Sequence, residues 1–167
     1  MRQAITYDPT CAAHRARISL DMLATGIDII EISRIRASLE KFGDRFLDRV
    51  YTQPEAALYG KRPHDLAARF AGKEAVMKAL GTGAKGIGWK EIEILPNQRG
   101  KPLVYLHGRA TERAKEMGLE GIDVSLSHSR DLAVAIAIGT VASQVEGGGE
   151  LPRELILAVL RGRGVLR

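Results

Sequence analysis

The longest uninterrupted apolar run in this chain of 167 residues is LAVAIAI at residues 132–138. It is far shorter than the ~20 residues a membrane-spanning helix needs, so it reads as a strand apolar on both faces. With 45% hydrophobic and 27% charged residues, the rest of the chain can bury one core of ordinary size. Cys11 is the only cysteine, which rules out an internal disulfide framework or a zinc site built from several thiolates. A reducing, cytoplasmic setting fits that usage. Residues 1–21 carry Arg2, Arg15 and Arg17, a slightly transit-like charge, but no apolar stretch of secretory length.

Periodicity orders the remainder. Residues 23–30 predict a first strand, in which Gly26 implies close approach of another backbone. Ile32, Ile35, Leu39 and Phe42 then recur at helical spacing, Gly43 interrupts, and Phe46, Leu47 and Val50 continue. Thr52 and Glu55 form a capping-box pattern with Pro54 in the first turn, predicting a short helix to about Tyr59. Lys61, Arg62 and Pro63 break it. The next helix is expected over residues 65–80, stopped by a left-handed Gly81. Residues 89–95 and 102–107 alternate as an antiparallel pair around Asn97 and Gly100; a helix follows over 109–117, then strands over 122–127 and 132–139. The predicted order is β-α-α-α-β-β-α-β-β, an α+β fold with segregated helices. Gly147 to Gly149 mark a linker, with an amphipathic pattern at 152–160 beyond it.

Two carboxylates stand where apolar residues belong. On a helix advancing about 100° per residue, Glu74 falls between Ala67 and Phe70, inside the apolar arc. A buried unpaired carboxylate costs several kcal/mol, so it must face a cation, a metal or a cleft. The ordinary alternative is an ion pair with Lys78, four residues on. Asp28 interrupts the apolar strand GIDIIEI near its end. Two carboxylates converging from separate elements suit a Mg²⁺ that keeps waters and takes its other ligands from phosphates. A helix cap or solvated strand edge would explain Asp28 equally simply. Gly81, Gly83, Gly86 and Gly88, with Lys85 among them, follow the helix and could bring backbone N–H groups to phosphate, or be a plain helix stop. His128, in the Ser-Leu-Ser-His-Ser-Arg join of the last strands, could contact a phosphate or simply belong to a polar turn.

Charge narrows the partners. Twenty-five Lys and Arg against 20 Asp and Glu give a net +5 and an anionic partner. A nucleic-acid module is disfavoured: aromatics make up 5% of the chain, and Arg34, Arg36, Lys41, Arg45 and Arg49 are interleaved with Glu40, Asp44 and Asp48. A catalytically silent interaction subunit is the third reading.

Three separated segments, GIDIIEISRI, ARFAGKEAVMKALGTG and VSLSHSRDLAVA, together with the RGKP turn at residues 99–102, resemble one family. The chain is similar to the holo-acyl-carrier-protein synthases, small 4′-phosphopantetheinyl transferases. The resemblance spans a domain of residues 22–141, between an N-terminal extension (1–21) and a C-terminal one (142–167). It implies the phosphopantetheinyl transferase fold and transfer of 4′-phosphopantetheine from coenzyme A to a serine of an apo acyl carrier protein. Adenosine 3′,5′-bisphosphate would be released, with Mg²⁺, in fatty-acid biosynthesis. Carried over by position, it implies metal binding at Asp28 and Glu74 and phosphate contact by Lys78 and His128. Arg69, Gly81 and Gly83 would line the coenzyme A cleft, and Arg34 and, more loosely, Arg45 would dock the carrier. Glu74, directly or through a metal-bound water, is the first choice of base. The resemblance also implies a homotrimer with active sites shared between chains, and no nucleic-acid or membrane partner.

Overall fold

A computed structural model describes residues 22–83 and 86–141 of the chain. The extensions, the linker, the pattern at 152–160 and Lys85 lie outside the described residues. Strand β1 (Met22–Glu31) is followed by helices α1 (Ile32–Phe42), α2 (Asp44–Val50), α3 (Gln53–Tyr59) and α4 (Pro63–Ala79). Then come strands β2 (Ile92–Pro96) and β3 (Pro102–Leu106), helix α5 (Gly108–Glu116), and strands β4 (Leu119–His128) and β5 (Leu132–Val141). The α+β class and the predicted order hold, with one division. Gly43 takes φ +52° and separates α1 from α2, so four helices precede β2. The break expected after Tyr59 holds, but α4 opens at Pro63 rather than at about Asp65, because the first turn needs no N–H from that position. The strand expected from residue 89 begins at Ile92, after one 3₁₀ turn at Trp89–Glu91.

Strand β5 lies between β1 and β4 in an antiparallel three-stranded sheet; β2 and β3 form a separate hairpin. Asn97 builds the hairpin turn, its side-chain oxygen accepting from Arg99 N and Lys101 N, and Gly100 takes φ +82°. The inner sheet face carries Ala133, Ala135 and Ala137 of β5, all buried under α4. Gly26 answers the expected close approach: a Cβ there would stand 2.0 Å from the Ala75 carbonyl oxygen of α4. Leu66, Val76 and Met77 of α4 and Leu80, just past its end, pack with Ile92 and Ile94 of β2 in the fully buried core. The outer sheet face is open. Leu23, Ile27 and Ile29 are 61–63% exposed beside Leu132, Ile136 and Ile138 at 40–44%, and Ile27 opposes Ile136.

Candidate active site

Alternation along β1 puts Asp28 on the inner face with the buried Ala24, Gly26 and Ile30. There it meets the second half of α4. Lys78 donates to an Asp28 carboxylate oxygen at 2.8 Å and to the Ile27 carbonyl at 2.8 Å. The ordinary pairing of Glu74 with Lys78 is therefore not the contact formed; Lys78 reaches across to the strand. Among the described residues, Glu74 has no hydrogen-bond partner. Burial pushes its carboxyl above the usual range, the Asp28 charge adds to the rise, and Lys78 opposes it.

Arg69 and His128 belong to the other end of α4. The Arg69 guanidinium lies 3.5 Å from the centroid of the Tyr59 ring, and its Nη1 reaches Asp65 Oδ1 at 3.5 Å. Its buried Nε has no partner. Arg69 lines a cleft of about 190 Å³ with Asp65, Gly100, Pro102, Leu126 and His128. A wider cleft of about 670 Å³ shares Asp65 and His128 with it and is further bounded by Lys61, Arg62 and His64, with the two imidazoles 5.5 Å apart. The wider cleft sets Lys61 and Arg62 against one carboxylate, Asp65, and suits an anionic ligand, whereas in the narrower one Arg69 faces Asp65.

The two groups are separate within one chain. Asp28 opposes Ala135, which opposes Leu126, and His128 lies one same-face step beyond Leu126. That is two strand spacings, about 10 Å, plus the step. No hydrogen bond or ion pair among the described residues joins them. Gly81 and Gly83 follow α4 at φ +69° and +57°, as the helix stop requires. Arg34 on α1 and Arg45 on α2 are exposed.

The carboxylates suit a hard divalent cation. Asp28 and the unpartnered, partly buried Glu74 are like charges felt by one another, which an ion between them would relieve. Among the described residues no third His, Cys, Asp or Glu joins them, so further ligands would be water or substrate oxygen.

One central residue escaped the reading of the sequence. Lys73 is fully buried and donates to Val50 O (3.0 Å), Glu55 Oε2 (2.7 Å), Trp89 O (3.0 Å) and Ile92 O (2.7 Å). Burial draws its ammonium below the ordinary range while Glu55 resists. Glu55 makes the predicted capping contact, accepting Thr52 N at 2.8 Å, and also accepts Ile94 N at 3.0 Å. The signal was available: the helical wheel that exposed Glu74 puts Lys73 about 20° from Leu66, at the centre of the apolar arc.

Residues 24–137 match the family described as the 4′-phosphopantetheinyl transferase superfamily. The holo-[acyl-carrier-protein] synthase of Moorella thermoacetica is 50% identical over 129 residues, covering 75% of this chain and all of the relative. That of Herpetosiphon aurantiacus is 48% identical over 125 residues, covering 71% of this chain and 98% of the relative. In three dimensions the chain is similar to the Helicobacter pylori holo-[acyl-carrier-protein] synthase solved in complex with coenzyme A. The TM-score is 0.63 at 30% identity, over 69% of this chain and 98% of that one. With β1, α4 and the β4–β5 join all inside the matched span, this chain belongs to the 4′-phosphopantetheinyl transferases, in their holo-[acyl-carrier-protein] synthase family.

Proposed function

We propose that this chain transfers the 4′-phosphopantetheine group of coenzyme A to a serine hydroxyl of an apo acyl carrier protein, releasing adenosine 3′,5′-bisphosphate. The observation that carries the reading is the convergence of Asp28, Lys78 and Glu74 where β1 meets α4. Asp28 and Glu74 would hold Mg²⁺, which supplies charge neutralisation at the diphosphate oxygens when bound. Lys78, which donates to Asp28 at 2.8 Å, would offer its ammonium to the transferred phosphoryl group. Glu74 is the base for the serine proton, directly or through a water. Arg69 and His128 bind the anionic nucleotide half, and the ring of Tyr59 keeps the Arg69 guanidinium from swinging, while Gly81 and Gly83, past the far end of α4, would border that cleft from a neighbouring chain. Positioning and electrostatics do most of the work in such a displacement.

Each chain holds its two groups of residues apart and exposes an apolar sheet face. Both features support a homotrimer in which neighbouring chains meet through β1 and β5 and complete each other's sites. The exposed Arg34 and Arg45 dock the acidic carrier, and the work belongs to fatty-acid synthesis in the cytoplasm. No helix among the described residues is long and apolar enough to cross a membrane.

Incubation with apo carrier, coenzyme A and Mg²⁺, followed by mass measurement of the carrier, tests the reading; a carrier without one added phosphopantetheine refutes it. Mixing Asp28→Ala chains with Arg69→Ala chains restores activity if sites are shared, whereas a fully active monomer by light scattering removes the trimer. Arg34→Glu raises KM for the carrier about tenfold with little change for coenzyme A. Equal effects on both would move Arg34 away from docking.

A further inference from the structure

Helix α4 crosses the sheet on small residues. A Cβ added to Gly72 would come within 2.9 Å of Leu126 Cδ2, and Gly26 lies against the backbone at Ala75 and Ala79. Below runs the alanine row of β5. This face lets backbones approach closely but offers few ridges to interlock with grooves, so the rotation of α4 about its axis is fixed mainly from its other side, where Leu66, Met77 and Lys73 are buried. Rotation matters at this place. A carboxylate standing about 6 Å from the axis moves roughly 1 Å for a 10° turn, and 1 Å of misplacement can cost about 10²-fold in rate.

Lys73 supplies what the small residues lack. Its four acceptors come from four places: the end of α2, the first turn of α3, the 3₁₀ turn and the start of β2. Hydrogen bonds fall off steeply with angle and distance, so this ammonium cannot swing far without losing partners in a fully buried site. Glu74 is the next residue, about 100° further round the helix, and Lys78 shares the face of Glu74.

We propose that Lys73 is a positioning residue for the transfer, locking the rotation of α4 through Glu55 and three backbone carbonyls so that Glu74 and Lys78 are aimed at Asp28. This rests on the reading of Asp28 and Glu74 as the metal-binding pair. The pair then acts on the geometry of the reacting groups rather than on the fold alone, a specificity role that buried ion pairs can take when their net stabilisation is small.

The test uses the full chain carrying Lys73→Met with Glu55→Gln, which removes both charges and keeps an acceptor for Ile94 N–H. Folding is followed by circular dichroism, Mn²⁺ binding by electron paramagnetic resonance titration, and transfer by steady-state kinetics. The expected result is a folded protein whose kcat falls by one to two orders of magnitude, with KM for coenzyme A and carrier within about twofold and Mn²⁺ bound about tenfold more weakly. A folded variant with parental kcat and Mn²⁺ affinity overturns the proposal. If the double variant does not fold, Glu55→Gln alone carries the test, because the ammonium and its three carbonyls remain. A several-fold loss of kcat in folded protein supports the role, and parental kcat overturns it. Glu74→Gln serves as the reference. If it leaves Mn²⁺ binding unchanged, the metal reading fails, and the split between kcat and KM alone decides on Lys73.

Discussion

Two lysines of one helix meet carboxylates at almost the same distance, 2.7 Å for Lys73 and Glu55 and 2.8 Å for Lys78 and Asp28. Their surroundings differ. Both side chains of the first pair are 0% exposed, and every carboxylate oxygen and ammonium proton is engaged. The second pair is 47% and 18% exposed, and beside it stands Glu74, which has no partner among the described residues. A fully satisfied buried pair has little freedom to exchange partners; a half-open pair next to an unsatisfied carboxylate can release its lysine to a ligand. Freedom to take a ligand therefore belongs to the incomplete arrangement, and rigidity to the complete one.

The largest effect expected on this contrast is at the open site. Asp28→Ala or Glu74→Gln lowers transfer by roughly 10³-fold while the circular dichroism spectrum stays parental. Unchanged turnover at low-millimolar Mg²⁺ in either variant would remove the site from β1 and α4. Next come the lysines themselves, compared by denaturant titration. Lys73→Met leaves Glu55 buried and uncompensated and loses about 3–5 kcal/mol, whereas Lys78→Met loses less than about 1 kcal/mol yet abolishes most activity. Similar stability losses in the two would erase the distinction drawn here.

Gly26→Ala sharpens the comparison from the strand side. Its Cβ would press on Ala75 O and Ala79 N, so α4 must lift from β1. A loss of about 1–3 kcal/mol, with a fall in kcat larger than that of a surface control, is expected in thermal melts and kinetics. The smallest effect concerns Glu91, at the end of the 3₁₀ turn whose Trp89 carbonyl accepts from Lys73. Its hydrogen bonds with Arg109 and with the Gly88 N–H hold the carboxyl down from the ordinary 4.5 to about 2. A depressed carboxylate stabilises the fold above its unfolded pKa, and that contribution is lost as pH falls through the folded value. Between about pH 4.5 and pH 2, the parent should therefore lose stability more steeply than Glu91→Gln. Parallel acid titrations of the two would show that Glu91 contributes nothing there.

Much of this molecule could be read from local rules. Helical spacing located α1 and α4, the Thr52 and Glu55 pattern located the start of α3, Gly81 marked the stop of α4, and Gly26 announced a close contact. Each rests on forces acting within a few residues, where sequence separation and spatial separation coincide. Asp28 and Glu74 were legible as misfits for the same reason, since a carboxylate on an apolar face is a local contradiction.

Partner choice was decided by tertiary structure. The sequence offered Lys78 to Glu74 at the favoured spacing, but α4 lies so close to β1 that the ammonium reaches Asp28 and the Ile27 carbonyl instead. Lys73 looked like any lysine until α2, α3, the 3₁₀ turn and β2 brought four acceptors around it. Likewise, residues 132–138 read as a strand apolar on both faces, and only the packing of α4 assigned its alanines to the core and Leu132, Ile136 and Ile138 to the open side. A sequence determines which groups cannot stay unpaired; the distances that choose their partners exist only once elements remote along the chain have packed together.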